Sequence, residues 1–368
     1  DISEKDYKLV YSYCCYIKGD FEESYEILKD EDDKESLLLK GLALINTSKI
    51  QELEEILKKY KKNFYDSSDY PSISTYHRIE GAYYEMKGDL INAGLSYKRA
   101  FFYSKKMGQT LRSYLYLLYY IEFLYLTGKK EKAIQYIKER FESFYKAAKV
   151  FPYILLYFEF IKFRYYRDKK NLNFLSNIKR KLEIINKSIN LPIFEPYILC
   201  VEADYKKLMK EDPSQYYEKA IELSEKYKIY TKLMDTVIEY LKYLRITENK
   251  KFDDYLKSMI ENIDKLSQPL YRKKFMEEAL LFLIIGRRLE EFERILKELI
   301  EYERKVKNFG RIKILLLFEY LLNVENKEKL KEIEEEYKNI KFSSDLTDCF
   351  ENLFYFLKSI RENKRLEA

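Results

Sequence analysis

Between Gly81 and Ala100 the chain sets small residues at Gly81, Gly88, Ala93 and Ala100 among large apolar ones at Tyr84, Leu90 and Tyr97. This spacing constrains the fold more than any other feature of the sequence. Without a Cβ, Gly81 lets a second helix lie close against the first. Gly88 can take the positive φ that ends a helix, and Ala93 fills a tight crossing. The segment is a helix, a turn and a helix.

The pattern returns. Gly128 follows Gly88 by 40 residues, and Ala133 follows Gly128 by five, as Ala93 follows Gly88. Upstream, Gly19-Asp20-Phe21 with Ser24 and Leu28 repeats the turn and second helix, and Gly41, Leu44, Ser48, Ile50, Leu53 and Leu57 fit with a weaker turn. Downstream, Tyr217 and Ala220 follow the turn Glu211-Asp212-Pro213-Ser214 as a second helix. Gly286, Leu289 and Phe292 fit once the turn gains a residue. Asn171-Leu172, Asn249-Lys250 and Asn326-Lys327 occupy the remaining expected turns.

This spacing resembles the tetratricopeptide repeat, whose helical hairpins stack into an α-solenoid. A period near 40, against roughly 34 in the standard repeat, implies longer helices or larger loops. Degenerate repeats of this length resemble the solenoid segment of maltose-type transcriptional activators and other large ATP-dependent bacterial regulators. The bacterial peptide-sensing Rap-type regulators use such helical pairs too. The resemblance implies an all-α, right-handed superhelix of about nine hairpins, roughly 18 helices without a sheet. It would run as one solenoid over residues 1–368, with a kink near Leu191-Pro192-Ile193-Phe194-Glu195-Pro196, where two prolines interrupt the helical pattern.

Composition agrees with helices and little else. The chain has nine glycines and six prolines, with no glycine between Gly128 and Gly286, so that stretch lacks the usual residue for tight β-turns and phosphate loops. Apolar residues recur at helical spacing in Leu281, Ile284, Ile285, Leu289, Phe292, Ile295, Leu296 and Leu299. The longest apolar run, Tyr114 to Ile121, ends at Glu122, well short of the roughly 20 residues of a membrane span. The expected location is the cytoplasm. The opening at Asp1, without a methionine, suits a fragment of a larger protein.

Catalytic patterns are missing. His77 is the only histidine, and Ile73, Ser74, Glu80 and Gly81 around it form neither a triad nor a zinc site. Cys14, Cys15, Cys200 and Cys349 make no C-x-x-C spacing and are expected as small buried hydrophobes. No nucleotide-binding or nucleophile-elbow motif occurs. The reading is a non-enzyme with no cofactor and no metal.

A solenoid binds on the wall formed by the first helix of each pair. Aligned on Gly81, that wall carries Arg78, Ala82 and Glu85 in the third repeat, Tyr13 and Tyr16 in the first, and Glu122 and Tyr125 in the fourth. In the fifth it carries Tyr157, Arg164 and Arg167. Tyr125 and Glu122 would present an aromatic platform and a carboxylate on one face, with Arg78 and Arg164 opposing the carboxylate. Such a groove suits an extended peptide, a partner helix or a small polar ligand. The expected function is a protein-interaction or ligand-sensing solenoid serving as the sensor segment of a larger transcriptional or signalling regulator. The alternative is an autonomous scaffold that holds partners in an assembly. Nucleic acid is disfavoured. Lys179-Arg180-Lys181, Arg272-Lys273-Lys274 and Arg304-Lys305-Val306-Lys307 sit among acidic residues as solvated faces, and the net charge is only +6.

Overall fold

The computed structural model describes residues 3–340 except 19, 48, 109–110, 141–151, 190–191, 228, 267–268, 306–307 and 324–325. Among these residues the chain forms eighteen α-helices, one 3-10 turn and no strand. The helices pair in order: α1 (Glu4–Lys18) with α2 (Phe21–Ile27), α3 (Lys34–Leu44) with α4 (Ile50–Phe64), and α5 (Tyr70–Met86) with α6 (Leu90–Lys106). Next come α7 (Leu111–Leu126) and α8 (Lys130–Glu139), then α9 (Pro152–Asp168) and α10 (Leu172–Ile189). After them stand α11 (Glu195–Leu208) and α12 (Ser214–Lys226), then α13 (Tyr230–Ile246) and α14 (Phe252–Ile263). The last pairs are α15 (Pro269–Ile285) with α16 (Leu289–Lys305), and α17 (Phe309–Leu322) with α18 (Lys327–Asn339). The fold is an all-α helical-repeat solenoid.

One turn geometry closes the first helix of six successive pairs. Gly88 (φ 77°) and Gly128 (φ 83°) are left-handed, and so are Lys170 (φ 52°), Lys210 (φ 63°), Glu248 (φ 50°) and Arg287 (φ 54°). In each case the next residue's N–H donates to the carbonyl five residues back. Asp89 reaches Tyr84 and Lys129 reaches Leu124, both at 2.8 Å, while Asn171 reaches Tyr166 at 3.1 Å. Glu211 donates to Lys206 at 2.9 Å, and Asn249 to Leu244 and Arg288 to Leu283 at 3.0 Å. This bond satisfies a carbonyl that the helix end leaves unpaired. The six turn residues follow one another at intervals of 40, 42, 40, 38 and 39. The period near 40 is therefore a property of the backbone, although glycine supplies only the first two of these turns. At the glycine-like repeat near Gly286, the left-handed residue is Arg287, one position later.

Side-chain size sets the packing within pairs and between them. A Cβ on Gly81 would lie 2.7 Å from the Tyr97 ring, and one on Gly41 would lie 2.9 Å from Ile79. Ala93, Ala100 and Ala133 are fully buried at the helix crossings, as are Tyr217 and Ala220 on α12. Asp89 caps α6 by accepting from the Asn92 N–H at 3.0 Å, and Asp33 and Asp69 cap α3 and α5 in the same way. Gly19 and Ser48, expected in the first two turns, lie outside the described residues.

The chain divides into two compact units, Asp1–Lys274 and Phe275–Ala368. In the first unit one apolar cluster joins Leu37, Leu53 and Tyr60 to Tyr76 and Ile79, and a second runs from Ala93 to Leu270. In the second unit α16 buries Phe292, Ile295, Leu296 and Leu299, and packs on α17, which buries Ile312, Leu315 and Leu316. The proline pair lies inside the first unit. Pro192–Phe194 form the 3-10 turn that leads into α11, and Pro196 occupies its first turn, where a missing N–H costs nothing. Cys15 and Cys200 are buried, Cys14 is exposed against expectation, and Cys349 lies outside the described residues. Among the described residues no helix is long and apolar enough to cross a membrane.

A left-handed non-glycine residue costs about 1–2 kcal/mol, against which glycine's extra chain entropy must be set. Replacing Lys170, Glu248 or Arg287 by Gly is expected to stabilise the fold by about 0.5–1 kcal/mol each, read from denaturant midpoints. Gly88→Ala is expected to cost about 1 kcal/mol in the same experiment.

Candidate functional site

Faces of the first helices α5, α7, α9, α11 and α13, with the start of α15, line two adjoining pockets. The first is a cavity of about 70 Å³, lined by Arg78, Glu85, Tyr97, Tyr119, Glu122 and Tyr271 among others. The second is larger, about 230 Å³, and its polar wall includes Glu122, Tyr157, Arg164, Tyr197, Lys232 and Asp235. Tyr119, Glu122 and Tyr271 belong to both. The Tyr271 hydroxyl donates to the Glu122 carboxylate although the two stand 149 residues apart, so α15 closes on α7 between the pockets.

In the first pocket the Arg78 guanidinium lies 4.1 Å from the centre of the Tyr119 ring and 5.4 Å from that of Tyr97. Its Nε and Nη1 are buried without a hydrogen-bond partner. The Tyr97 hydroxyl donates to Glu85 Oε2 at 2.7 Å. Burial pushes the Tyr16 hydroxyl of α1 up to about 12, with Tyr119 adding to the shift and Arg78 opposing it, so α1 also reaches this region.

The second pocket is richer in charge. Asp235 meets Arg164 at 3.4 Å and Lys274 at 2.5 Å. Burial alone would raise the Asp235 carboxyl, but Arg164, then Lys274 and Lys232, hold it well below the usual range. Burial lowers Lys274 to about 8, with Asp235 offsetting part of the loss. Lys232 is 2 % exposed, and its ammonium lies 4.2 Å from the Phe160 ring centre and 5.3 Å from that of Tyr197. Its Nζ meets no oxygen acceptor, and the nearby Cys200 sulfur is its one weak partner among the described residues.

Five residues expected on the wall, Arg78, Glu85, Glu122, Tyr157 and Arg164, line these pockets, as does Ala82. Arg164 and Arg78 both favour the ionised form of Glu122, though burial outweighs them. Tyr16 lines neither pocket, although its hydroxyl feels Tyr119 and Arg78, and Tyr13 is 53 % exposed, stacks on Tyr16 at 6.5 Å and lines neither as well. Tyr125 is not an open platform. It is 7 % exposed, in the apolar core, with Arg164 and Lys130 over its ring at 5.0 and 5.2 Å. Arg167 is occupied too: it bonds Asp204 at 2.8 Å and lies 3.6 Å from Glu239, tying α9 to α11 and α13.

Sequence reasoning missed Tyr119, Tyr197, Lys232, Asp235, Tyr271 and Lys274. Their signal was a register hidden by the loss of turn glycines. Tyr157, Tyr197, Asp235 and Lys274 each precede a left-handed turn residue (Lys170, Lys210, Glu248 and Arg287) by thirteen positions. The run Arg272-Lys273-Lys274 is therefore not a plain solvated face, since Lys274 turns inward while Arg272 pairs with Asp264 at 2.9 Å. His77 is a buried packing residue, stacked on Tyr103 and with Nδ1 2.9 Å from Glu80.

No family model matches this chain, and no curated protein matches it in sequence. Among solved structures it is similar to the crystal structure of the apo form of RapI, at 16 % identity and a TM-score of 0.50. The likeness covers 91 % of this chain and 96 % of RapI. It concerns the fold alone.

Burial raises the carboxyls of Glu85 and Glu122 above their ordinary value. Each therefore contributes stability that is present below the ordinary carboxylate value and lost as pH rises through its own. Glu122→Gln keeps an acceptor for Tyr271 and removes the buried charge. It is expected to melt above the parent at pH 8, with the gap closing as pH falls to 5. Tyr125→Ala is expected to lose about 3–5 kcal/mol of stability, as a core aromatic does, measured by urea unfolding.

Proposed function

We propose that the chain is a non-catalytic ligand-sensing or protein-interaction solenoid that takes a peptide or small polar ligand in this interior groove. The observation that carries the reading is the pair of adjoining pockets on the first helices. Their aromatic walls offer stacking surfaces, and their buried polar groups offer orientation, the usual division of labour in a ligand site. The fold shared with RapI and the resemblance to the peptide-sensing Rap-type regulators support a peptide as occupant. On this reading the chain is the sensor segment of a larger cytoplasmic regulator, and a ligand acts by favouring one spacing of the helix pairs over another.

Ala82 borders the first pocket without filling it. In a thermal-shift screen of short peptides and polar metabolites, at least one compound is expected to raise the melting temperature of the chain. Ala82→Phe should fold and weaken that compound at least about tenfold in calorimetric titration, because the ring occupies the pocket. Binding that ignores the substitution would place the ligand elsewhere and defeat the reading.

A further inference from the structure

Six charged side chains line the two pockets, a seventh, the partly exposed Lys274, reaches Asp235 from beside them, and these charges do not cancel. Arg78, Arg164, Lys232 and Lys274 face Glu85, Glu122 and Asp235. Asp235 is engaged by Arg164 and Lys274, Glu85 by the Tyr97 hydroxyl, and Glu122 by the Tyr271 hydroxyl. Arg78 and Lys232 are left over. Neither has an acid within ion-pair distance, and both rest on aromatic rings that compensate only part of the lost hydration. An uncompensated buried cation is costly to the empty protein, and an arriving anion recovers that cost.

We infer that the groove takes a ligand carrying two carboxylates, one received by Arg78 in the first pocket and the other by Lys232 in the second. The inference rests on the groove being the ligand site. Two single cations in separate pockets suit two monoanions, whereas a phosphate dianion would meet Glu122, Glu85 or Asp235 with charge to spare. Arg78 offers a planar fork to a planar carboxylate, and the flexible stem of Lys232 lets its ammonium swing from the Phe160 ring into the pocket. Between the two sites the ligand passes Tyr119 and the Glu122–Tyr271 pair, so its middle is apolar or peptide-like. Two sources share this chemistry: a free linear dicarboxylate, and an acidic peptide with a side-chain and a terminal carboxylate.

Calorimetric titration with pimelate and with the tripeptide N-acetyl-Glu-Ala-Ala tests both sources, with heptanediamide and N-acetyl-Gln-Ala-Ala amide as neutral controls. At least one diacid should bind at least about tenfold more tightly than its neutral control. Lys232→Met, close in shape but uncharged, should raise the melting temperature of the empty protein and abolish most of that preference. Arg78→Met should likewise abolish most of it, because the preference needs both carboxylates held. Tighter binding of pimelate assigns a free dicarboxylate, and tighter binding of the tripeptide assigns an acidic peptide. If Lys232→Met lowers the melting temperature or leaves the diacid preference intact, the inference is overturned. The same holds if neither diacid binds at millimolar concentration. Neutral controls that bind as well as the diacids, in an Ala82-sensitive way, would leave the groove reading standing and sink the two-carboxylate inference alone.

Discussion

A left-handed residue at the end of the first helix in six successive pairs is the constraint on which the rest of this structure depends. It returns the following N–H to the carbonyl five residues back and points the chain into the second helix. Because the turn recurs at nearly equal intervals, it also sets the rotational register of those six first helices. Positions at a fixed distance before the turn then share one face, and that face is the groove wall. Without the turns, Tyr157, Tyr197, Asp235 and Lys274 would be unrelated residues scattered over more than a hundred positions.

The groove wall is expensive to build. Arginine, lysine and carboxylate groups lose hydration there, and the ion pairs among them recover only part of the cost. Arg167 with Asp204 and Glu239 is a balanced set that ties three helices together. The set around Asp235 is unbalanced, with Arg164 and Lys274 in contact and Lys232 close enough to depress its carboxyl further. A purely structural interior would fill these positions with apolar residues, as the cluster around Leu37, Leu53 and Tyr60 does. Charge retained beside a cavity is what supports the proposed binding role.

The hairpin architecture was legible where glycine and alanine mark the geometry. Gly81 meets the Tyr97 ring and Gly88 takes the positive φ for reasons that residue type alone makes plain. After Gly128 the same turn is made by lysine, glutamate and arginine, which tolerate the conformation at a cost but advertise nothing. The sequence register named Arg78, Glu85, Glu122, Tyr157 and Arg164, which line the two pockets, and it ran out where the turn residue could no longer be recognised. Depth was not legible either. Tyr125 and Glu122 lie three residues apart on one helix, yet one sits in the core and the other in the groove, a difference set by neighbours on α8, α9 and α15.

Amide hydrogen exchange of the chain, with and without a compound that raises its melting temperature, tests the central claim most directly. A ligand in the groove should slow exchange in α7, α9 and α13, whose side chains form the two pockets, while α8, α10 and α14 change little. Protection confined to those second helices, or to the exposed tyrosines of α1, would contradict an interior site.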